Sequence, residues 1–198
     1  MIKVYNYDGK NEEECRLICL EDLDVYNNEI ITKEFEENNQ YKMEVIKKQD
    51  VIDYIEEFIK EITTKMGLDV KIEVNEEDSI FNVKMHSNNN PILIGKDGKT
   101  LTSIQNLLRQ TISNKIKFNL KINLDASNYK ARKEKYFERN IKVIVNDVLK
   151  TKDEIKLEPM NSFKRRIVHS IVSDYYNLET ESVGEEPNRC VIIRYTEK

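Results

Sequence analysis

Tryptophan is absent from the 198 residues, histidine occurs twice, proline three times and glycine five times. So little glycine and proline excludes collagen-like repeats and proline-rich disorder. Two histidines leave little room for a histidine-built metal site or catalytic centre. Three cysteines, an odd number, argue against a disulfide framework and fit a reducing cytoplasm. Long apolar runs are missing too: none approaches the roughly 18 residues that a membrane span needs, and residues 1–8 contain no apolar core of a signal peptide. What remains is a chain with 39% hydrophobic and 34% charged residues. That balance suits a soluble protein of one to three small domains with modest cores.

The net charge of −4 hides an asymmetry. Residues 1–90 hold 11 Lys/Arg against 22 Asp/Glu, a balance of −11; residues 91–150 hold 13 against 5, a balance of +8; residues 151–198 hold 8 against 9. Because fields act locally, an acidic average does not exclude a polyanionic partner, and 91–150 is where a phosphate backbone would be drawn.

Hydrophobic spacing divides the chain into three segments. In 1–49, a strand around Ile2 and Val4, a helix over 12–20 and a hairpin of 29–35 with 41–46, turning at Glu37-Asn38-Asn39-Gln40, make a βαββ unit. In 50–125, Val51, Ile55, Phe58, Ile62 and Met66 recur at helical spacing, and Gly67 suits the position past the helix end. Val70, Ile72 and Val74, then Phe81, Val83 and Met85, alternate as two half-buried strands around a polar turn over 75–79. Pro91 opens a short apolar stretch that stops at Gly95; Leu101, Ile104, Leu108 and Ile112 form one face of a longer helix; Phe118, Leu120, Ile122 and Leu124 alternate as a strand. The order is α-β-β-α-α-β. In 126–198, a long helix over 127–149 has a basic first half (Lys130, Arg132, Lys133, Lys135, Arg139) and an amphipathic second half. A short strand at 155–157, a helix from 162 to about 175 capped by Asn161, and strands at 178–183 and 189–195 follow. The fold class is α+β.

Two motifs carry chemistry. The first is Gly95-Lys96-Asp97-Gly98-Lys99 between two helical patterns. Two glycines let helix ends approach closely, and a phosphate backbone can lie against the N–H groups of the second helix, where the dipole favours an anion. By itself the motif is weak evidence and reads as a mere tight turn. A mononucleotide site reads poorly, since no Gly-x-x-x-x-Gly-Lys-Ser/Thr is present and the glycines follow a helix. The second motif is Arg165-Arg166-Ile167-Val168-His169: Arg165 and His169 share a helix face, either a solvated one or a donor pair for an anion.

In its α-β-β-α-α-β setting, the Gly-x-x-Gly segment resembles a type II KH domain over 50–125, which implies that Gly95, Lys96, Asp97, Gly98 and Lys99 clamp a short single-stranded stretch. Glu158-Pro159-Met160-Asn161 before Arg165, and Gly184-Glu185-Glu186-Pro187 and Arg189 after it, make 126–198 resemble an R-3-H (Arg-x3-His) domain, with Arg165, His169 and Arg189 as nucleic-acid-binding residues. A KH domain followed by an R-3-H domain behind a βαββ unit resembles the Jag (SpoIIIJ-associated, KhpB-like) family of bacterial RNA-binding proteins. Asp97, Lys164 and the run 36–40, where family members often carry a Lys/Gly-rich loop, depart from the pattern.

The resemblance implies a cytoplasmic regulator binding single-stranded RNA, or single-stranded DNA, without catalysis. It further implies a small single-KH protein partner and a role in cell-envelope, cell-division or sporulation control; the KH unit leaves homo-oligomers open. A second reading is an adaptor whose acidic N-terminal unit docks a membrane-associated protein partner. An enzyme would need clustered carboxylates for Mg²⁺, and Asp97, Asp125 and Asp147 are scattered. No cofactor or metal is implied: Cys15 and Cys19 lack a second ligand pair and read as buried thiols, as does Cys190. His86 reads as a surface residue, and Glu76, Glu77 and Asp78 as a solvated turn. Tyr129, Tyr136, Tyr175 and Tyr176 are candidates either for base stacking or for ordinary packing.

Overall fold

The computed structural model describes residues 1–37 and 40–197. The expected turn residues Asn38 and Asn39 lie outside the described residues. The chain forms two compact units, 1–129 and 130–198.

The first unit begins with β1 (Tyr5–Gly9), α1 (Glu12–Leu23), β2 (Ile30–Glu37) and β3 (Gln40–Lys47), an antiparallel sheet in the order β1-β3-β2. Asn11 caps α1 by accepting from the Glu14 N–H at 2.9 Å, and Glu14 reaches back to the Lys10 N–H at 2.6 Å. The helix runs past residue 20 because nothing breaks it before Asp24, which takes a left-handed φ of 48°. β3 alternates between two cores, as the period of two requires. Met43 and Val45 pack with Cys15, Cys19 and Leu23, whereas Ile46 joins Ile2, Val51 and Ile55 in a larger cluster. Ile2 and Val4 thus contribute to packing and the strand itself starts at Tyr5.

That larger cluster is built by α2 (Lys48–Lys65), β4 (Val70–Glu77), β5 (Ile80–Ser87), α3 (Asn90–Ile94), α4 (Lys99–Ile116) and β6 (Lys121–Ala126). It is the expected α-β-β-α-α-β order. β4 pairs antiparallel with β5, and β5 parallel with β6, as a two-helix crossover allows. α2 ends where Gly67 donates to the Thr64 carbonyl and Leu68 to the Thr63 carbonyl, both at 2.9 Å, with Gly67 at φ +72°. Its buried stripe is Val51, Tyr54, Ile55, Ile59 and Thr63; Phe58 and Ile62 are only partly buried. The β4–β5 turn is tighter than expected. Glu76 and Glu77 are strand residues, and Asp78 and Ser79 alone turn the chain at φ 50° and 61°, the double positive φ of a two-residue hairpin. Glu76 is not simply solvated: it pairs with Lys48 at 2.8 Å and accepts from the Ser79 N–H. Phe118 is buried in the connection ahead of β6, which starts at Lys121.

In the second unit, α5 (Tyr129–Thr151, whose first residue belongs to the first unit) precedes β7 (Ile155–Lys156), α6 (Ser162–Ser173), β8 (Leu178–Val183) and β9 (Cys190–Tyr195). The sheet order is β7-β9-β8. Ile141, Val145 and Val148 of α5 and Val168 and Val172 of α6 pack on Leu178, Val191 and Ile193. Antiparallel pairing continues beyond β7, with the Leu157 N–H on the Val191 carbonyl at 2.9 Å and the Met160 N–H on the Arg189 carbonyl at 3.0 Å. Among the described residues, no helix is long and apolar enough to cross a membrane.

Candidate nucleic-acid interface

The Gly-x-x-Gly segment forms a tight turn between α3 and α4. α3 closes as the Gly95 N–H donates to the Pro91 carbonyl at 2.8 Å, and the Gly98 N–H then donates to the Gly95 carbonyl at 3.2 Å. Gly95 has φ 72°, ψ 177°, a region essentially reserved for glycine. A Cβ there would come within 2.8 Å of the Thr100 Cβ. Gly98 is buried at φ 82°, and its Cβ would lie 2.6 Å from the Tyr129 ring. Asp97 takes φ 56°, which a short polar side chain tolerates. Lys96, Asp97 and Lys99 are exposed, and the N-cap position of α4 is Gly98, which has no side chain to cap it. The Lys99 N–H donates to the Lys96 carbonyl, so α4 opens from a closed turn beside two exposed lysines.

A groove of about 470 Å³ lies along α4 and β6, lined by Asn106, Arg109, Gln110, Phe118 and Lys121. β6 is one of the two edge strands of its sheet. Two α4 side chains reach its free edge: Gln105 Oε1 accepts from the Leu124 N–H at 2.9 Å, and Arg109 Nε donates to the Ile122 carbonyl at 2.8 Å. Gln105 and Arg109 escape motif reading. The signal available was their i, i+4 spacing next to the Ile104–Leu108 stripe.

Residues 1–90 tie up Arg16, Lys33, Lys42, Lys48, Lys65 and Lys71 in ion pairs. By contrast Lys96 and Lys99 in the first unit, and Arg132, Lys135 and Arg139 in the second, are exposed and form no ion pair among the described residues. These five cations of 91–150 are available to an outside anion.

In the second unit, Arg165 and His169 do share a face of α6, and that face turns inward. The Arg165 side chain is 10% exposed; its Nη1 donates to the Met160 carbonyl and pairs with Glu186, both at 2.7 Å. His169 is held between two hydroxyls of β8, with Nδ1 2.7 Å from Thr180 Oγ1 and Nε2 2.8 Å from Ser182 Oγ. Arg165 thus fastens the approach to α6 onto the 184–189 loop. Arg189 is exposed, and its carbonyl holds the Met160 N–H.

The other candidates resolve simply. Cys15, Cys19 and Cys190 are buried and free, and burial pushes the Cys15 and Cys19 thiols up, away from thiolate chemistry. The Tyr41 hydroxyl, desolvated and donating to Glu34, is pushed up to about 12. His86 is exposed beside Ser127, Nδ1 to Oγ 2.9 Å. Tyr129 and Tyr175 are half-buried, whereas Tyr136 and Tyr176 are exposed. Among the described residues, no group of three or more His, Cys, Asp or Glu side chains could hold a metal ion.

Comparison with known proteins assigns both halves of this architecture. Residues 52–124 match the family described as KhpA/KhpB, KH domain, and residues 138–195 match the R-3-H domain. The chain is 35% identical over 149 residues to the RNA-binding protein KhpB of Clostridium symbiosum, covering 74% of this chain and 67% of that protein. It is 28% identical over 199 residues to the RNA-binding protein KhpB of Bacillus subtilis (strain 168), covering 94% and 96%. With the RNA-binding protein KhpB of Lactiplantibacillus plantarum it shares 24% over 137 residues, 69% of this chain and 42% of that longer protein.

Proposed function

The chain belongs to the KhpB family of RNA-binding proteins, carrying a KH and an R-3-H domain, and from that premise we propose that it binds single-stranded RNA in the cytoplasm, without catalysis of its own, chiefly through the Gly95–Gly98 turn. The observation that supports this is the geometry of that turn. Both glycines are required by φ and by space, and the N-terminus of α4 opens at Gly98 beside exposed Lys96 and Lys99, which form no ion pair among the described residues. Backbone amides and ammonium groups there match a sugar–phosphate chain. The adjoining groove lined by Asn106, Arg109 and Gln110 offers donors and acceptors to unpaired base edges. In the second unit, the exposed Arg132, Lys135 and Arg139 offer a sequence-independent attraction of their own. A small single-KH partner, and a role in envelope, division or sporulation control, rest on family membership alone.

A salt titration of the full chain against a labelled single-stranded RNA tests the proposal. With about four phosphates neutralised, log K falls against log salt with a slope near −3. Lys96→Asp with Lys99→Asp should weaken binding about tenfold or more and leave the melting temperature unchanged, because both side chains are exposed and form no ion pair among the described residues. A flat salt dependence, or unchanged affinity in the double variant, would remove the turn from the interface.

A further inference from the structure

The outward face of α6 takes no part in the pairings described above. Phe163, Arg166 and Ser170 follow one another at i, i+3 and i+7, on the side away from Arg165 and Val168, and all three are exposed. Phe163 is 61% exposed. Unlike the exposed Tyr136 and Tyr176, it has no hydroxyl to offer water. Its backbone is nevertheless firmly placed. Asn161 caps the helix by accepting from the Lys164 N–H at 3.0 Å, and both polar groups of Met160 are claimed, the N–H by Arg189 and the carbonyl by Arg165. Arg166 and Arg189 are exposed and form no ion pair among the described residues, while Glu186 is already neutralised by Arg165.

We infer that Phe163 is a stacking platform for an unpaired base of single-stranded RNA, with Arg166 taking an adjoining phosphate. Every base has a π-face, so an exposed ring on a firmly placed backbone binds it whatever the sequence. Arg165 then acts as the strut that sets the platform. The inference rests on the single-stranded RNA reading above and adds a second contact surface in the second unit.

The chain contains no tryptophan, so Phe163→Trp introduces a single reporter. Emission of this full-length variant should be quenched by saturating mixed-sequence single-stranded RNA and unchanged by the same sequence as a duplex. In anisotropy titrations with labelled RNA, Phe163→Ala should bind about tenfold more weakly at an unchanged melting temperature, and Arg166→Ala should reduce the salt slope by about 0.7. Normal affinity of Phe163→Ala, absent quenching while anisotropy reports binding, or equal quenching by the duplex would each overturn the platform and leave the Gly95–Gly98 proposal standing. Failure of the unmodified chain to bind single-stranded RNA would overturn both.

Discussion

Gly98→Ala is expected to destabilise the first unit by about 2–5 kcal/mol and to abolish measurable RNA binding. An alanine at φ 82° pays about 1–2 kcal/mol for the left-handed backbone. Its methyl, 2.6 Å from the Tyr129 ring, adds the cost of overpacking, typically about 1–3 kcal/mol. Relaxation can go only two ways: the ring moves, or the turn opens and withdraws the α4 N–H groups from a phosphate. Combining Gly98→Ala with Tyr129→Ala separates the contributions. Removing the ring should recover the steric part of the stability loss but not the backbone part. Thermal unfolding and an RNA titration on the two variants are the measurements; wild-type stability and affinity in Gly98→Ala would show that the turn is not held by this contact.

Arg165→Ala should cost about 2 kcal/mol and lower the melting temperature by several degrees, leaving the Lys96/Lys99 contribution to RNA binding intact. Two groups lose their partner at once. The Met160 carbonyl, part-buried, is left without its donor, at about 1–3 kcal/mol where water does not replace it. Glu186 also loses its guanidinium, but its side chain is 58% exposed and water compensates most of that loss. Arg165→Lys should recover only part, because a single ammonium cannot reproduce the planar fork. The readout is unfolding of the full chain set beside its RNA affinity. Loss of affinity with no loss of stability would make Arg165 a direct RNA contact.

Much of this fold is legible from spacing. Phe81, Val83 and Met85 alternate and are buried; Leu101, Ile104, Leu108 and Ile112 recur at helical spacing and are buried. In both places one face meets a core and period alone decides the element. The α2 stripe shows where period falls short. Phe58 and Ile62 carry the pattern, yet Ile59 and Thr63 go inside, because the Thr63 hydroxyl satisfies itself on the Ile59 carbonyl at 2.9 Å and so behaves as a small core residue. The candidate site divides the same way. Positive φ at Gly95 and Gly98 follows from residue type and setting. Burial of Arg165 does not: spacing puts it on the face of His169, but the direction of that face is decided by Met160 and by Glu186, 21 residues away. Phe163 goes unnoticed for the converse reason, since an aromatic beside Lys164 and Arg165 reads as packing until its exposure is seen.

The bonds from Gln105 and Arg109 to β6 also govern how this molecule behaves in a crowd. An edge strand with vacant amides and carbonyls is a template on which any extended chain, native or misfolded, can add itself, and nucleation of fibrils begins there. Here two rungs of that ladder are shut from the side by a helix whose five buried aliphatic residues keep it in place. Protection against aggregation is therefore exported to α4, and β6 contains neither proline nor glycine in its six residues.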